Sequence, residues 1–185
     1  MKKEFDAERL DVGAFMQAGA AMEAQEPLSA FERLQAEAAA QEAGVPEVHW
    51  QAHGEMRARS DGAAAPWLHV QAQAAVPVTC QRCLQPMSAL LDADRWFRFV
   101  ADEQTAAAED EEAEEDVLVL SRAFDLHELV EDELLMELPA APRHDVCPQA
   151  VPMSAQDADF DAAEAERPNP FAALAQLRKK PSNED

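Results

Sequence analysis

Two stretches of strict alternation constrain what this chain can fold into. Val48, Trp50, Ala52, Gly54 and Met56 alternate with His49, Gln51, His53, Glu55 and Arg57. Leu68, Val70, Ala72, Ala74, Val76 and Val78 alternate with His69, Gln71, Gln73 and Thr79. A period of two sends successive side chains to opposite faces of a strand, so each stretch reads as a strand with one apolar and one polar face. A third follows Pro86: Met87, Ala89, Leu91 and Ala93, running on to Phe97 and Phe99. Trp96 breaks its alternation, which burial on both faces or a bulge would explain. The turn signal Ser60-Asp61-Gly62 and a short second connection join the three as an antiparallel meander. A sheet with one apolar face needs helices on that face, so the expected fold class is α+β.

The helices are sought in the remaining segments. Residues 1–47 are rich in Ala and read as a helical segment, punctuated at Pro27, Leu28 and Ser29. Ser29 with Glu32 is a capping-box spacing, in which each side chain satisfies an orphan N–H at a helix start. Phe31, Leu34 and Ala38 then share one face, and Gly44 and Pro46 stop the helix. Asp125 with Glu128 opens a second capped helix with Leu126, Leu129, Val130, Leu134 and Leu138 as its stripe, stopped by Pro139 and Pro142. Between strands, residues 102–116 carry nine acidic side chains and no basic one. Such a block repels itself and reads as a disordered, solvated insert, followed by a short strand at Val117-Leu118-Val119-Leu120. Residues 48–147 thus form the core domain. Residues 148–185 are an acidic linker to about residue 166 and then a C-terminal tail helix, Arg167 to Lys180, with Phe171, Leu174 and Leu177 on one face.

Charge narrows the functional classes. Fifteen basic side chains stand against 37 acidic ones in 185 residues, a formal charge of −22. The apolar fraction of 48% overstates the core, because 39 of those residues are Ala, and Leu, Val and Phe together number 36 with no Ile. A generally basic nucleic-acid binder is excluded, since binding to phosphate needs local positive charge, and no DNA partner is expected. No apolar run approaches the length of a membrane-spanning helix. Met1–Leu10 has two lysines without a following apolar stretch, so no secretory leader is expected and the cytoplasm is the expected location.

The sharpest chemical motif is Cys80-Gln81-Arg82-Cys83, placed between two strands. A C-x2-C turn lets two thiolates face one tetrahedral ion. His144 and Cys147 supply a second pair, and the four make a candidate Cys3His zinc site. Two other readings stand beside it. The cysteines fit equally as small buried hydrophobes in a structural turn. A thiol-disulfide pair is the third reading, but that motif normally sits at a helix N-terminus, and here a strand pattern follows. No nucleophile elbow or phosphate-cradling glycine loop occurs, and the remaining histidines fall on polar strand faces or in a capped helix turn, so no enzyme is expected.

Residues 56–100 are the one long segment that is not acidic. Arg57, Arg59, Arg82, Arg95 and Arg98 there outnumber Asp61, Asp92 and Asp94. These arginines are candidate RNA-binding residues on the sheet around the cysteine turn. They fit equally well as partners for the acidic loops. An acidic chain also suits an adaptor that meets a basic ribosomal protein without touching RNA.

Val78-Thr79-Cys80-Gln81-Arg82-Cys83, then Leu129 through Pro139, then Cys147, then Arg167-Pro-Asn-Pro-Phe-Ala-Ala-Leu occur in an order that resembles the YceD family of bacterial large ribosomal RNA subunit accumulation proteins. The resemblance covers roughly residues 68–180. It implies a non-enzymatic role in synthesis, processing or stability of 23S ribosomal RNA, with that RNA or a ribosomal or assembly protein as partner. By the same resemblance Cys80, Cys83 and Cys147 match the family's cysteines, and His144 matches a histidine before the third.

Overall fold

The apolar alternation in 48–78 needs partners on both sides, and the chain supplies them. The computed structural model describes residues 5–40, 45–58, 62–150 and Phe171. Strands β1 (Ala21–Pro27), β2 (Glu47–Ala58), β3 (Ala64–Thr79), β4 (Pro86–Val100) and β5 (Asp116–Val119) form one sheet in the order β1-β2-β3-β4-β5. The first four pair antiparallel, as the meander requires, and β5 joins β4 in parallel. The fold is α+β with a mixed, mostly antiparallel sheet. β3 pairs with β4 without a break from Trp67↔Arg98 to Thr79↔Pro86, so Trp96 marks no bulge. Its strand end is instead covered on both faces: Phe97 and Phe99 point into the main core, and Arg98 and Val100 are buried on the other side.

Four helices complete the described fold: α1 (Val12–Gln17), α2 (Glu32–Glu37), α3 (Glu103–Asp110) and α4 (Leu126–Met136). Phe15, Phe31, Leu34, Leu126, Val130 and Leu134 bring α1, α2 and α4 onto the face formed by Val48, Leu68, Val70, Val76 and Leu91. The opposite face of β1–β4 carries the Gln and His side chains. α4 begins as its sequence demands, with Asp125 Oδ1 accepting from the Glu128 N–H at 2.8 Å. No helix among the described residues is long and apolar enough to cross a membrane.

Two segments depart from the sequence reading. Residues 1–47, expected to be helical, contain β1 on the sheet edge between two short helices. Its pattern, Met22, Ala24 and Glu26 inward, is short and weakly apolar, and its strand state is set by pairing with β2. Nor does Ser29 cap α2. The helix starts after Phe31 with no local side-chain cap. Glu131 of α4 does that work from nearly a hundred residues away, accepting from the N–H groups of Arg33 (2.8 Å) and Leu34 (3.1 Å) and from Arg33 Nε (2.9 Å). The acidic insert is the second departure. Asp102 caps α3 within it, and Ala106 packs against Val100 and Val117. Arg98 is the reason: its guanidinium, 8% exposed at residue level, pairs with Glu109 and with Glu115 (2.6 Å) and gives the carboxylates a cation to close around. The tail helix expected after residue 166 lies outside the described residues, as does most of the linker before it.

Gly54 is where the sheet admits its cover. A Cβ there would sit 2.6 Å from Phe15 Cδ1 and 3.1 Å from the Met16 Cα. Gly54→Ala is therefore expected to cost about 1–3 kcal/mol, by overpacking that the backbone must absorb; urea denaturation checks it, and Gly13→Ala, whose Cβ would meet only Asp11 Oδ1 at 3.8 Å, serves as the comparison.

The carboxylates of α4 give a pH test of opposite signs. Burial pushes the Glu131 carboxyl up, but the Leu34 N–H, the Arg33 guanidinium and the Arg33 N–H outweigh it and hold it below its ordinary value of 4.5. Its stabilisation is complete above that value and is lost as pH falls through the folded-state one. Glu133, 4% exposed, is raised instead, first by burial and then by the charges of Asp116, Asp132 and Glu137, against the lowering effect of Arg95. Its ionisation costs stability as pH rises through the carboxylate range. Glu131→Gln should lower the urea midpoint at pH 7 and flatten the acid limb, whereas Glu133→Gln should raise the midpoint at pH 7 and leave it unchanged at pH 4.

Candidate metal centre

The long β3–β4 hairpin ends at Thr79 and Pro86, and the turn between them is the cysteine motif. Cys80 N–H donates to the Gln85 carbonyl (2.9 Å) and Leu84 N–H to the Cys80 carbonyl (2.9 Å), a tight loop that presents both thiols on one side. Closing it puts Leu84 at φ 58°, a left-handed conformation that glycine adopts without cost. The segment beyond α4 docks on this loop. Pro139 ends the helix region, the Pro142 carbonyl accepts from the Gln81 N–H at 2.8 Å, and the chain then runs past the thiols.

Cys80 Sγ, Cys83 Sγ, a His144 ring nitrogen and Cys147 Sγ all lie within 4.8 Å of one another. Cys83 Sγ is 3.4 Å from His144 Nδ1, and the His144 N–H donates to Cys80 Sγ at 3.5 Å. None of the three cysteines is in a disulfide. Three thiols and one imidazole at these separations are a donor set that zinc accepts as a closed tetrahedron. Cys80 is wholly buried. Burial pushes its thiol up, but N–H groups of Cys83, His144 and Arg82 outweigh it and bring it down to about 5. Cys83 is raised, first by burial.

Arg82 holds the second arm in place. Its Nε donates to Cys147 Sγ (3.1 Å), and its terminal nitrogen to the carbonyls of His144 (2.6 Å) and Asp145 (3.3 Å). These three hydrogen bonds fix the direction of the Cys147 side chain and the path of the backbone before it.

The five arginines of the middle segment do not gather on one surface. Arg82 belongs to this centre. Arg95 is on the helix-covered face, with its Nε 3.5 Å from Glu133 and a terminal nitrogen 3.7 Å from Glu137. Arg98 is enclosed by α3. Arg57 is on the open face of the sheet, its guanidinium 3.6 Å above the Trp96 ring and 4.5 Å from that of Trp67. His69 stacks on the other side of Trp96 at 4.1 Å and meets Asp94 at 2.6 Å. Arg59 lies outside the described residues. The Arg57–Trp96–His69 stack and the Arg33–Glu131 clamp had no signature in the sequence, because each is assembled from separate strands or helices.

A family model described as large ribosomal RNA subunit accumulation protein YceD matches residues 68–178. The chain belongs to the YceD family. The matched span holds all four donor residues, Arg82 and α4. Among curated proteins, the chain is similar to the large ribosomal RNA subunit accumulation protein YceD of Haemophilus influenzae, 34% identical over 108 residues. That stretch is 57% of this chain and spans 61% of the length of the relative. No solved structure matches.

Arg82→Ala should free the second arm while leaving the sheet intact. Hydrogen exchange of the amides at residues 143–147 is expected to quicken about tenfold, with those of β3 and β4 unchanged.

Proposed function

We propose that this chain is a non-catalytic accessory factor in the accumulation of large-subunit ribosomal RNA, acting in the cytoplasm. We also propose that Cys80, Cys83, His144 and Cys147 bind one zinc ion as a structural staple. The family match over residues 68–178 carries the first reading, because the name of the family and of the Haemophilus influenzae relative states that role. The convergence of four donors from two distant segments carries the second. A staple at this place would lock the exit of α4 to the tip of the β3–β4 hairpin. Four protein donors would complete the tetrahedral shell of a zinc ion and leave no open position for substrate, which suits structure over catalysis. Burial of Cys80 also speaks against the thiol-disulfide alternative, since exchange needs an accessible attacking thiolate.

Metal analysis by mass spectrometry of protein purified under reductant should find about one zinc per chain, absent in Cys80→Ser and in Cys147→Ser. Zinc-free protein that is folded and melts as cooperatively as the natural protein would remove the staple. The ribosomal role is read separately: a deletion strain should contain less large-subunit ribosomal RNA relative to the small-subunit species, and unchanged levels would remove that reading whatever the metal result.

A further inference from the structure

The side of α4 turned toward β5 leaves a groove of about 620 Å³. Leu118, Leu129, Leu135 and Met136 form its floor. Met136 is 63% exposed, and the other three are half-buried against the main core. Asp110, Asp116, Asp132 and Glu133 form its rim, drawn from α3, β5 and α4. Two cations answer them from neighbouring elements. Arg33 meets Asp132 at 2.6 Å, and Arg95 lies 3.5 Å from Glu133. Asp116 has no cation partner among the described residues. Glu133 is the second observation: an almost wholly buried carboxylate lining the groove, pushed up by burial and by the charges of Asp116, Asp132 and Glu137. The groove therefore combines an apolar floor with a negative rim in which Asp110 and Asp116 have no ion-pair partner among the described residues.

We propose that this groove is a docking site for a basic amphipathic segment of another protein, with aliphatic side chains on the Leu129–Met136 floor and Lys or Arg against the exposed Asp110 and Asp116. Apolar anchors supply the burial and charge supplies the selection. The same rim repels phosphate, which disfavours RNA as the occupant. The inference stands independently of the metal and of the ribosomal role.

The probe is a labelled 18-residue peptide of Leu and Lys with its leucines on one helical face, followed by fluorescence anisotropy with the full chain. Its Glu-for-Lys counterpart and a 20-nucleotide single-stranded RNA are the comparisons. Binding of the Leu/Lys peptide is expected to weaken with salt, and to fall at least about tenfold in Asp116→Lys and in Met136→Lys. Asp92→Lys, an exposed acid on the opposite face of the sheet, should leave it unchanged and so separates the groove from overall charge. Thermal melts verify that each variant is folded. Equal affinity across all variants, or equal loss in Asp92→Lys, overturns the proposal. So does RNA binding that Asp116→Lys alters when peptide binding does not change. A tenfold gain in peptide affinity when Arg178, Lys179 and Lys180 are all changed to Glu would instead give the groove to this chain's own basic segment.

Discussion

The pairing of β3 with β4, thirteen consecutive residue pairs from Trp67↔Arg98 to Thr79↔Pro86, is the constraint from which the other features follow. Its register sets Leu68, Ala72, Ala74, Val76 and Val78 of β3 opposite Phe97, Ala93, Leu91, Ala89 and Met87 of β4 on a single face, and a slip of one residue would turn that set to solvent. That face demands the helices, and α4 lies on it. The same register fixes where the hairpin turns, and the turn carries Cys80 and Cys83. It also carries Arg98 out to the far end of β4, where the acidic segment folds over it. Cysteine centre, helix cover and acidic cap are thus three readings of one strand pairing.

Electrostatics decides how so acidic a chain stays folded. Its few cations are placed where carboxylates would otherwise repel. Arg98 anchors α3, Arg33 ties α2 to Glu131 and Asp132, Arg95 faces Glu133 and Glu137, and Arg82 stands by the thiol of Cys147. A buried or half-buried arginine with two carboxylate partners replaces one water-solvated charge by directed hydrogen bonds. The consequence for function is negative selection. Arginines committed to internal pairs, as Arg33, Arg95 and Arg98 are, do not form a phosphate-binding stripe.

The groove runs along α4 to its last residue, and the cysteine centre lies just beyond, where the chain leaves that helix. α4 is held at its start by the Asp125 cap and at its middle by the Arg33–Glu131 clamp, and the segment that leaves it closes on the hairpin turn. Anything that fixes the donors at residues 144 and 147 therefore also fixes the path of the chain out of α4, where Met136 and Leu135 line the groove. The physical link is covalent and short, which is why a structural ion at this position would matter to the helix as well as to the turn.

The three central strands, the Asp125 cap, the α+β class and the Cys80–Cys83 pair were legible in the sequence, because alternation, capping and C-x2-C spacing are local signals that hold in any tertiary setting, whereas the approach of His144 and Cys147 to that pair came only with the fold. Arginine placement, the strand state of Ala21–Pro27, the helix within the acidic insert and the long-range cap from Glu131 were decided only by the tertiary structure. Each of these depends on a partner far away in the chain: β2 for the edge strand, Arg98 for α3, α4 for the start of α2. A weakly apolar segment such as 21–27 has no strong preference of its own, so pairing settles it. A carboxylate in the sequence carries a charge but no address, and only the fold says which cation it will meet.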